Sequence, residues 1–145
     1  MNNKPNIIGI ILLVIFLLAT IICNAKEFTK GDIYHAIAVV ESGLDATAIG
    51  DEGGAVGIYQ IPKIYVDDVN RIANTSYTYN DRFNKEKSLE MVKIYLNHYS
   101  KVYKNKTGKE ATNEVKARIH NGGPNGWSKK STERYWKKVK KYLQE

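Results

Sequence analysis

Between Thr29 and Ser42 the apolar residues Ile33, Ile37 and Val40 recur at helical spacing. Thr29 or Asp32 can cap the start of this helix, and Gly43 can stop it just past Glu41-Ser42. Residues 44–61 carry Gly50, Gly53, Gly54 and Gly57, which predict turns with a brief β ribbon. Pro62 suits the first turn of a helix running to about Ala73. The stretch from Asn74 to Arg82 is polar and irregular. Beyond it, Leu89, Val92, Leu96, Tyr99 and Tyr103 mark an amphipathic helix from Lys85 to Tyr103 that should form the backbone of the core. A further helix is predicted over Thr112 to His120, broken by the turn residues 121–126. The last covers Thr132 to Leu143 with Ser131 as its cap. The pattern is that of a mainly α domain with one small glycine-rich β/turn excursion.

The N-terminus follows a different rule. Lys4 precedes an almost unbroken apolar run from Ile7 to Cys23, which is apolar on every side rather than along one stripe. At 17 residues it is long for the apolar region of a signal peptide, about 7–15 residues, and at the lower end for a membrane-crossing helix, about 17–25. Residues 1–25 are therefore expected to be a hydrophobic helix serving as signal peptide or membrane anchor, with cleavage before Lys26 after Cys23-Asn24-Ala25 as one outcome. In both cases residues 26–145 form the working domain outside the cytoplasm, secreted or tethered to the membrane through residues 7–23.

Composition narrows the chemistry. The chain has 145 residues, of which 43% are apolar, enough for one domain with a real core and too few for two. It carries 22 Lys and Arg against 15 Asp and Glu, a formal +7, which favours polyanionic partners such as nucleic acid, anionic lipid or cell-wall polymers. Cys23 is the only cysteine, so the working domain has no internal disulfide and no cysteine metal site. No metal or cofactor is expected.

Three short segments carry candidate chemistry. In Val40-Glu41-Ser42-Gly43, Glu41 follows Ile37 by one helical turn and borders the apolar stripe. A carboxyl at such a border loses hydration, which favours the neutral acid that a proton donor needs. Taken alone, the same residue reads as a solvated glutamate at a helix end. In the segment from Gly50 to Ile61, the glycines permit close backbone approach to a ligand, Tyr59 can stack on a sugar face and Gln60 can hydrogen-bond it. In Ala117-Arg118-Ile119-His120-Asn121-Gly122-Gly123-Pro124, a helix end passing into a tight turn exposes His120 and Asn121, although Asn before Gly is also ordinary turn chemistry.

In this order, the three segments resemble the soluble lytic transglycosylase and goose-type lysozyme family. That family has Glu-Ser at a helix end, then a Gly-Leu-Met-Gln-like segment, then an Ala-Tyr-Asn-x-Gly-like turn; here they read Glu41-Ser42, Gly57-Ile58-Tyr59-Gln60 and His120-Asn121-Gly122-Gly123. The resemblance implies a lysozyme-like α+β domain that cuts the β-1,4 bond between N-acetylmuramic acid and N-acetylglucosamine in peptidoglycan. It implies Glu41 as the catalytic glutamate, Ser42 as a helper near the substrate, and Gln60 and Asn121 as groups lining the glycan cleft. Tyr59 stands where Met is frequent and His120 where Tyr is usual.

Two reaction outcomes follow. Conventional glycosidases use two carboxylates, whereas lytic transglycosylases, as the resemblance implies, use one glutamate as acid and then base while the muramic acid's own 6-hydroxyl attacks. Gly50-Asp51-Glu52-Gly53 is similar to the goose-type segment in which an aspartate positions water, which makes Asp51 the candidate second carboxylate, with Glu52 beside it. Pro62 stands where the family's lysozymes often have a second aspartate, and this places the transglycosylase outcome slightly ahead.

Two rival classes remain on sequence grounds: an inactive relative that grips peptidoglycan, and a basic module for nucleic acid. The second would use Lys129, Lys130, Lys137, Lys138, Lys140 and Lys141 with Tyr135, Trp136 and Tyr142 interleaved. The preferred reading of that stretch is an amphipathic helix with Tyr135, Val139 and Tyr142 inward and the lysines solvated. The lysines would then draw the protein to anionic cell-wall polymers. Export argues against a nucleic-acid partner, and the chain is expected to act as a monomer.

Overall fold

The computed structural model describes residues 31–143. The expected hydrophobic helix at residues 7–23 lies outside the described residues. Among the described residues no helix is long and apolar enough to cross a membrane. They form a mainly helical domain with one small sheet, the α+β arrangement expected.

Helix α1 (Ile33–Ser42) starts at Asp32, whose side chain accepts from the Tyr34 N–H at 2.8 Å. Thr29, the other candidate cap, is outside the described residues. Ile33, Ala36, Ile37 and Ala38 face the core. Gly43 ends the helix at φ +66°, donating its N–H to the Val39 carbonyl at 3.0 Å. Only glycine takes this left-handed turn without steric cost, so the chain leaves directly after Glu41-Ser42.

Three two-residue strands follow: β1 (Ile49–Gly50), β2 (Ala55–Val56) and β3 (Ile61–Pro62). They pair antiparallel in sequence order, with Ile49 opposite Val56 and Val56 opposite Ile61. Strands this short have few ladder bonds of their own. Packing holds them, because Ile58, Tyr59 and Ile61 are completely buried. Pro62 closes β3 and stands just outside helix α2 (Lys63–Ala73) rather than within its first turn. Its fixed φ and missing N–H suit an edge strand and a helix entrance alike.

The segment read as irregular contains a 3₁₀ turn at Tyr79–Phe83, closed by a reciprocal capping box between Thr78 and Asp81. It exists to bury Arg82, whose Nε donates to the Tyr79 carbonyl at 2.6 Å and whose Nη1 donates to the Ile61 carbonyl at 2.9 Å. Gly57, at φ +78°, backs onto the Arg82 carbonyl so closely that an added Cβ would sit 1.9 Å from it. The glycine-rich ribbon is thus clamped to this turn.

Helix α3 (Lys85–Thr107) runs through the centre, with Met91, Val92 and Leu96 fully buried. It extends past Tyr103 because nothing after that residue breaks it until Gly108 at φ +72°. Helix α4 (Asn113–Gly122) is capped by Thr112. The last helix, α5 (Glu133–Val139), is shorter than predicted and passes into a 3₁₀ turn at Lys140–Leu143. Ser131 does not cap it. Thr132 occupies the cap position, yet its buried hydroxyl contacts the Gly126 and Lys129 carbonyls at 2.7 and 2.8 Å and takes a hydrogen bond from Arg118 Nε at 3.0 Å. That hydroxyl fixes the preceding loop instead of the helix. As expected, Tyr135 and Val139 point into the core, with Tyr142 packed at its edge.

Candidate active site

Glu41 lies in the last turn of α1, where that helix meets α4 and α5, and its side chain is 17% exposed. The Tyr135 hydroxyl donates to Glu41 Oε1 at 2.7 Å. His120 Nε2 lies 3.5 Å from the same oxygen and 3.2 Å from the Tyr59 carbonyl. Both neighbours are acceptors, so Nε2 carries the ring proton and points it between them. Burial, reinforced by the Glu41 charge, pushes the Tyr135 hydroxyl well above the usual tyrosine range. Tyr135 therefore stays a donor to the carboxylate at any working pH.

A cavity of about 300 Å³ opens over these groups. Glu41, Asp51, Gln60, His120 and Asn121 line it, together with Ala55, Pro62 and Tyr65. It brings together five of the seven residues singled out from the sequence. Asp51 reaches it from the exposed turn joining β1 to β2, where Asp51 and Glu52 both take left-handed backbone conformations, φ 46° and 54°. Such geometry is uncommon for two successive non-glycine residues and is characteristic of strained, functional turns.

The structure corrects what was expected of Ser42, Tyr59 and His120. Ser42 does not face the cavity; its hydroxyl donates to the Ile58 carbonyl at 2.9 Å, which ties the end of α1 to the ribbon. Tyr59 has 0% exposure and offers no face for a sugar to stack on, because Ile58 and Ile61 on either side pull the segment into the core. It serves the site through its carbonyl. Gln60 gives its amide protons to the Gly57 and Ala48 carbonyls at 2.9 and 3.3 Å, so it braces the ribbon while lining the cavity. His120, expected to be exposed, has a side chain only 4% exposed because it packs edge-on to Tyr59 and Tyr65. Asn121 is exposed as anticipated.

Tyr135 and Tyr65 were not recognised as site residues in the sequence. Tyr135 read as a core position and sits 94 residues from Glu41 along the chain, so no local pattern links them. Tyr65 joins the small cavity to a second one of about 630 Å³, which shares Pro62, Tyr65, His120 and Asn121 with it. A cleft thus runs from Asp51 past Glu41 and onward between α2, α3 and α4.

The model of the transglycosylase SLT domain matches residues 24–143. The chain belongs to this family. With it, the SLT-domain chain stands among the lysozyme-like peptidoglycan glycosidases. It is 37% identical over 84 residues to a lysozyme of Ostrea edulis, covering 58% of the chain and 57% of that protein. Against the invertebrate-type lysozyme 3 of Caenorhabditis elegans it is 30% identical over 123 residues, covering 80% of the chain and 88% of that protein. Among solved structures, a chain of the crystal structure of Aeromonas hydrophila PliI in complex with Meretrix lusoria lysozyme matches with a TM-score of 0.63 and 30% identity. That match covers 75% of the SLT-domain chain and 86% of the other.

Proposed function

We propose that this protein hydrolyses the β-1,4 bond between N-acetylmuramic acid and N-acetylglucosamine in peptidoglycan, outside the cytoplasm, with Glu41 as general acid and Asp51 as the carboxylate that positions water. The observation that carries this reading is that Glu41 and Asp51 line the same cavity. A carboxyl held by protein neighbours and a solvated carboxylate from a loop on the wall of the same cavity are the two groups a glycosidase requires. The lysozyme names of the relatives favour the same outcome.

Both contacts to Glu41, from Tyr135 and from His120, fall on Oε1. Oε2 is left to carry the proton to the leaving oxygen. As the glycosidic bond breaks, that proton passes to the departing sugar's 4-oxygen and the ring carbon gains positive charge. Water held by Asp51 then adds its oxygen to that carbon and gives up a proton to the carboxylate. Tyr135 and His120 act as positioning residues, fixing the angle at which Glu41 meets the bond.

A second reading, a lytic transglycosylase in which the muramic acid 6-hydroxyl attacks, draws its support from the family model itself. Mass spectrometry of muropeptides released from purified peptidoglycan separates the two. Reducing muramic acid ends are expected, and anhydromuramic ends would establish the transglycosylase. Glu41→Gln keeps the size of the side chain but cannot deliver a proton, so it should release nothing; a folded variant that still cuts removes Glu41 from its role.

A further inference from the structure

The two faces of helix α5 carry different chemistry. Tyr135 and Val139 point into the core, and Tyr135 reaches Glu41. The outward face carries cations. Arg134, Lys137, Lys138 and Lys141 follow the i, i+3, i+4, i+7 spacing that sets side chains on one side of a helix, the row running on into the closing 3₁₀ turn. All four are exposed, as are Lys130 one turn earlier and Lys140 in the closing turn. Among the described residues, none of these six cations forms an ion pair. Like charges one turn apart destabilise a helix, and Glu133 is the only acid between Lys129 and Leu143 to offset them. A partner that relieves this repulsion is an anion whose charges repeat along its length.

The cleft has the reverse balance. Glu41, Asp51, Asp67 and Asp68 line it, and Arg71 is the only lysine or arginine on its walls. A polyanion is therefore repelled from the cleft and drawn to the outer side of α5. No residue of the cationic row lines either cavity, so an occupant of the row leaves the cleft open.

The surroundings of the row select among polyanions. Single-stranded nucleic acid is held by aromatic rings on which its bases stack, yet Tyr135 is buried here while Trp136 and Tyr142 pack against the core. A helix lying on a bilayer inserts apolar side chains beside its cations. The exposed large apolar residues are Leu44, Ile49, Ile64, Tyr79 and Phe83, none of them on α5 or its closing turn. A polymer of repeating phosphodiesters needs neither stacking nor insertion, only a row of exposed cations. We infer that the outward row of α5 is a docking surface for a phosphodiester polymer carried on the cell wall, which keeps the domain on the wall while its cleft works on the glycan. The inference takes from the peptidoglycan reading only the place where protein and polymer meet.

The test is co-sedimentation of the full chain, kept in solution by a neutral detergent, with purified walls. The Glu41→Gln background keeps the walls intact. Walls bearing the phosphodiester polymer are compared with the same walls after acid removal of the polymer. Binding to the first should be at least about tenfold tighter, and it should weaken about ten- to fiftyfold between about 50 and 200 mM salt, the loss that some four phosphate contacts imply. Lys137→Gln, Lys138→Gln and Lys141→Gln combined should reduce binding to the level of the stripped walls. The same number of charges removed elsewhere, by Lys63→Gln, Lys101→Gln and Lys109→Gln, should leave most of it. Equal binding to both walls overturns the inference, as does equal loss in the two triple variants, which would report net charge rather than the row. Competition at equal phosphate concentration covers the other occupants: release by duplex DNA, or by micelles containing phosphatidylglycerol, more readily than by the free polymer would assign the row to that partner instead. Cleavage of stripped walls by the protein with Glu41 intact is scored separately, so failure of the glycosidase reading shows as absent turnover and failure of the docking surface as unselective binding.

Discussion

The Tyr135 hydroxyl donates to Glu41 Oε1 at 2.7 Å, joining the last helix of the domain to the end of the first. The bond makes the C-terminal helix part of the active site. It also explains why α5 buries a tyrosine rather than an aliphatic residue at this point: the ring fills the core while the hydroxyl satisfies a carboxylate at the cleft wall.

Removal of that hydroxyl in Tyr135→Phe should lower kcat about ten- to a hundredfold while the helical circular dichroism stays native, since a hydrogen bond to a charged group contributes about 1.5–3 kcal/mol. KM should change little, because Tyr135 is not on the cavity wall. A variant with wild-type kcat would show that the orientation of Glu41 does not depend on Tyr135.

Gly57→Ala is expected to destabilise the fold strongly. The new methyl would meet the Arg82 carbonyl at 1.9 Å, and the position has φ +78°. Overpacking against backbone and a left-handed conformation together cost about 2–5 kcal/mol. Thermal denaturation should show a large fall in Tm, whereas Gly53→Ala, where nothing lies within 4 Å, should show only the smaller cost of its φ.

Asp81 ties the turn around Arg82 to its surroundings. Hydrogen bonds from Lys87, from the Thr78 N–H and from the Thr78 hydroxyl hold its carboxyl below the usual aspartate range. A group whose folded-state pKa is depressed stabilises the fold above its unfolded pKa, and that contribution disappears as pH falls through the folded value. Stability should therefore drop in the acid range below the ordinary aspartate pKa. Asp81→Asn should be less stable than wild type at pH 7 and close to it at pH 2. Parallel denaturant curves across the pH range would reject this role for Asp81.

What could be read from the sequence was what depends on neighbours in the chain. Helix α3 was legible from Leu89, Val92 and Leu96 because burial repeats with the helix period, and the end of α1 was legible because Gly43 alone permits that turn. The two carboxylates were legible through motif order, Glu41 before the glycine-rich segment and Asp51 within it. The contacts made by Ser42, Tyr59 and Gln60 were not. Their side chains are committed by the way the ribbon folds back against α1, and nothing local distinguishes a residue that lines a cleft from one that braces its wall. Arg82 was missed for a related reason: a charged residue is seldom buried, and only the carbonyls of Tyr79 and Ile61, brought there by the fold, make it tolerable.

Asp51→Asn separates the two proposed reactions. Asp51 stands on an exposed turn with a left-handed backbone and lines the same cavity as Glu41, which Tyr135 and His120 hold. If water is the nucleophile, it must be oriented and deprotonated, and Asp51→Asn should reduce kcat by about 10²-fold or more while affinity for the glycan stays near wild type. If the substrate's own 6-hydroxyl attacks, the nucleophile is tethered at high effective concentration and needs no second carboxylate, so the same substitution should cost little. The hydrolytic reading therefore expects two results together: reducing ends from the wild type and a severe loss in Asp51→Asn. Anhydromuramic products from the wild type with near-normal turnover in the variant would assign the attack to the sugar and leave Asp51 a turn residue. Glu52 provides the control, because it shares the strained turn but not the cavity wall. Glu52→Gln should retain most of the activity, so a loss confined to Asp51→Asn reports on the carboxylate rather than on the turn.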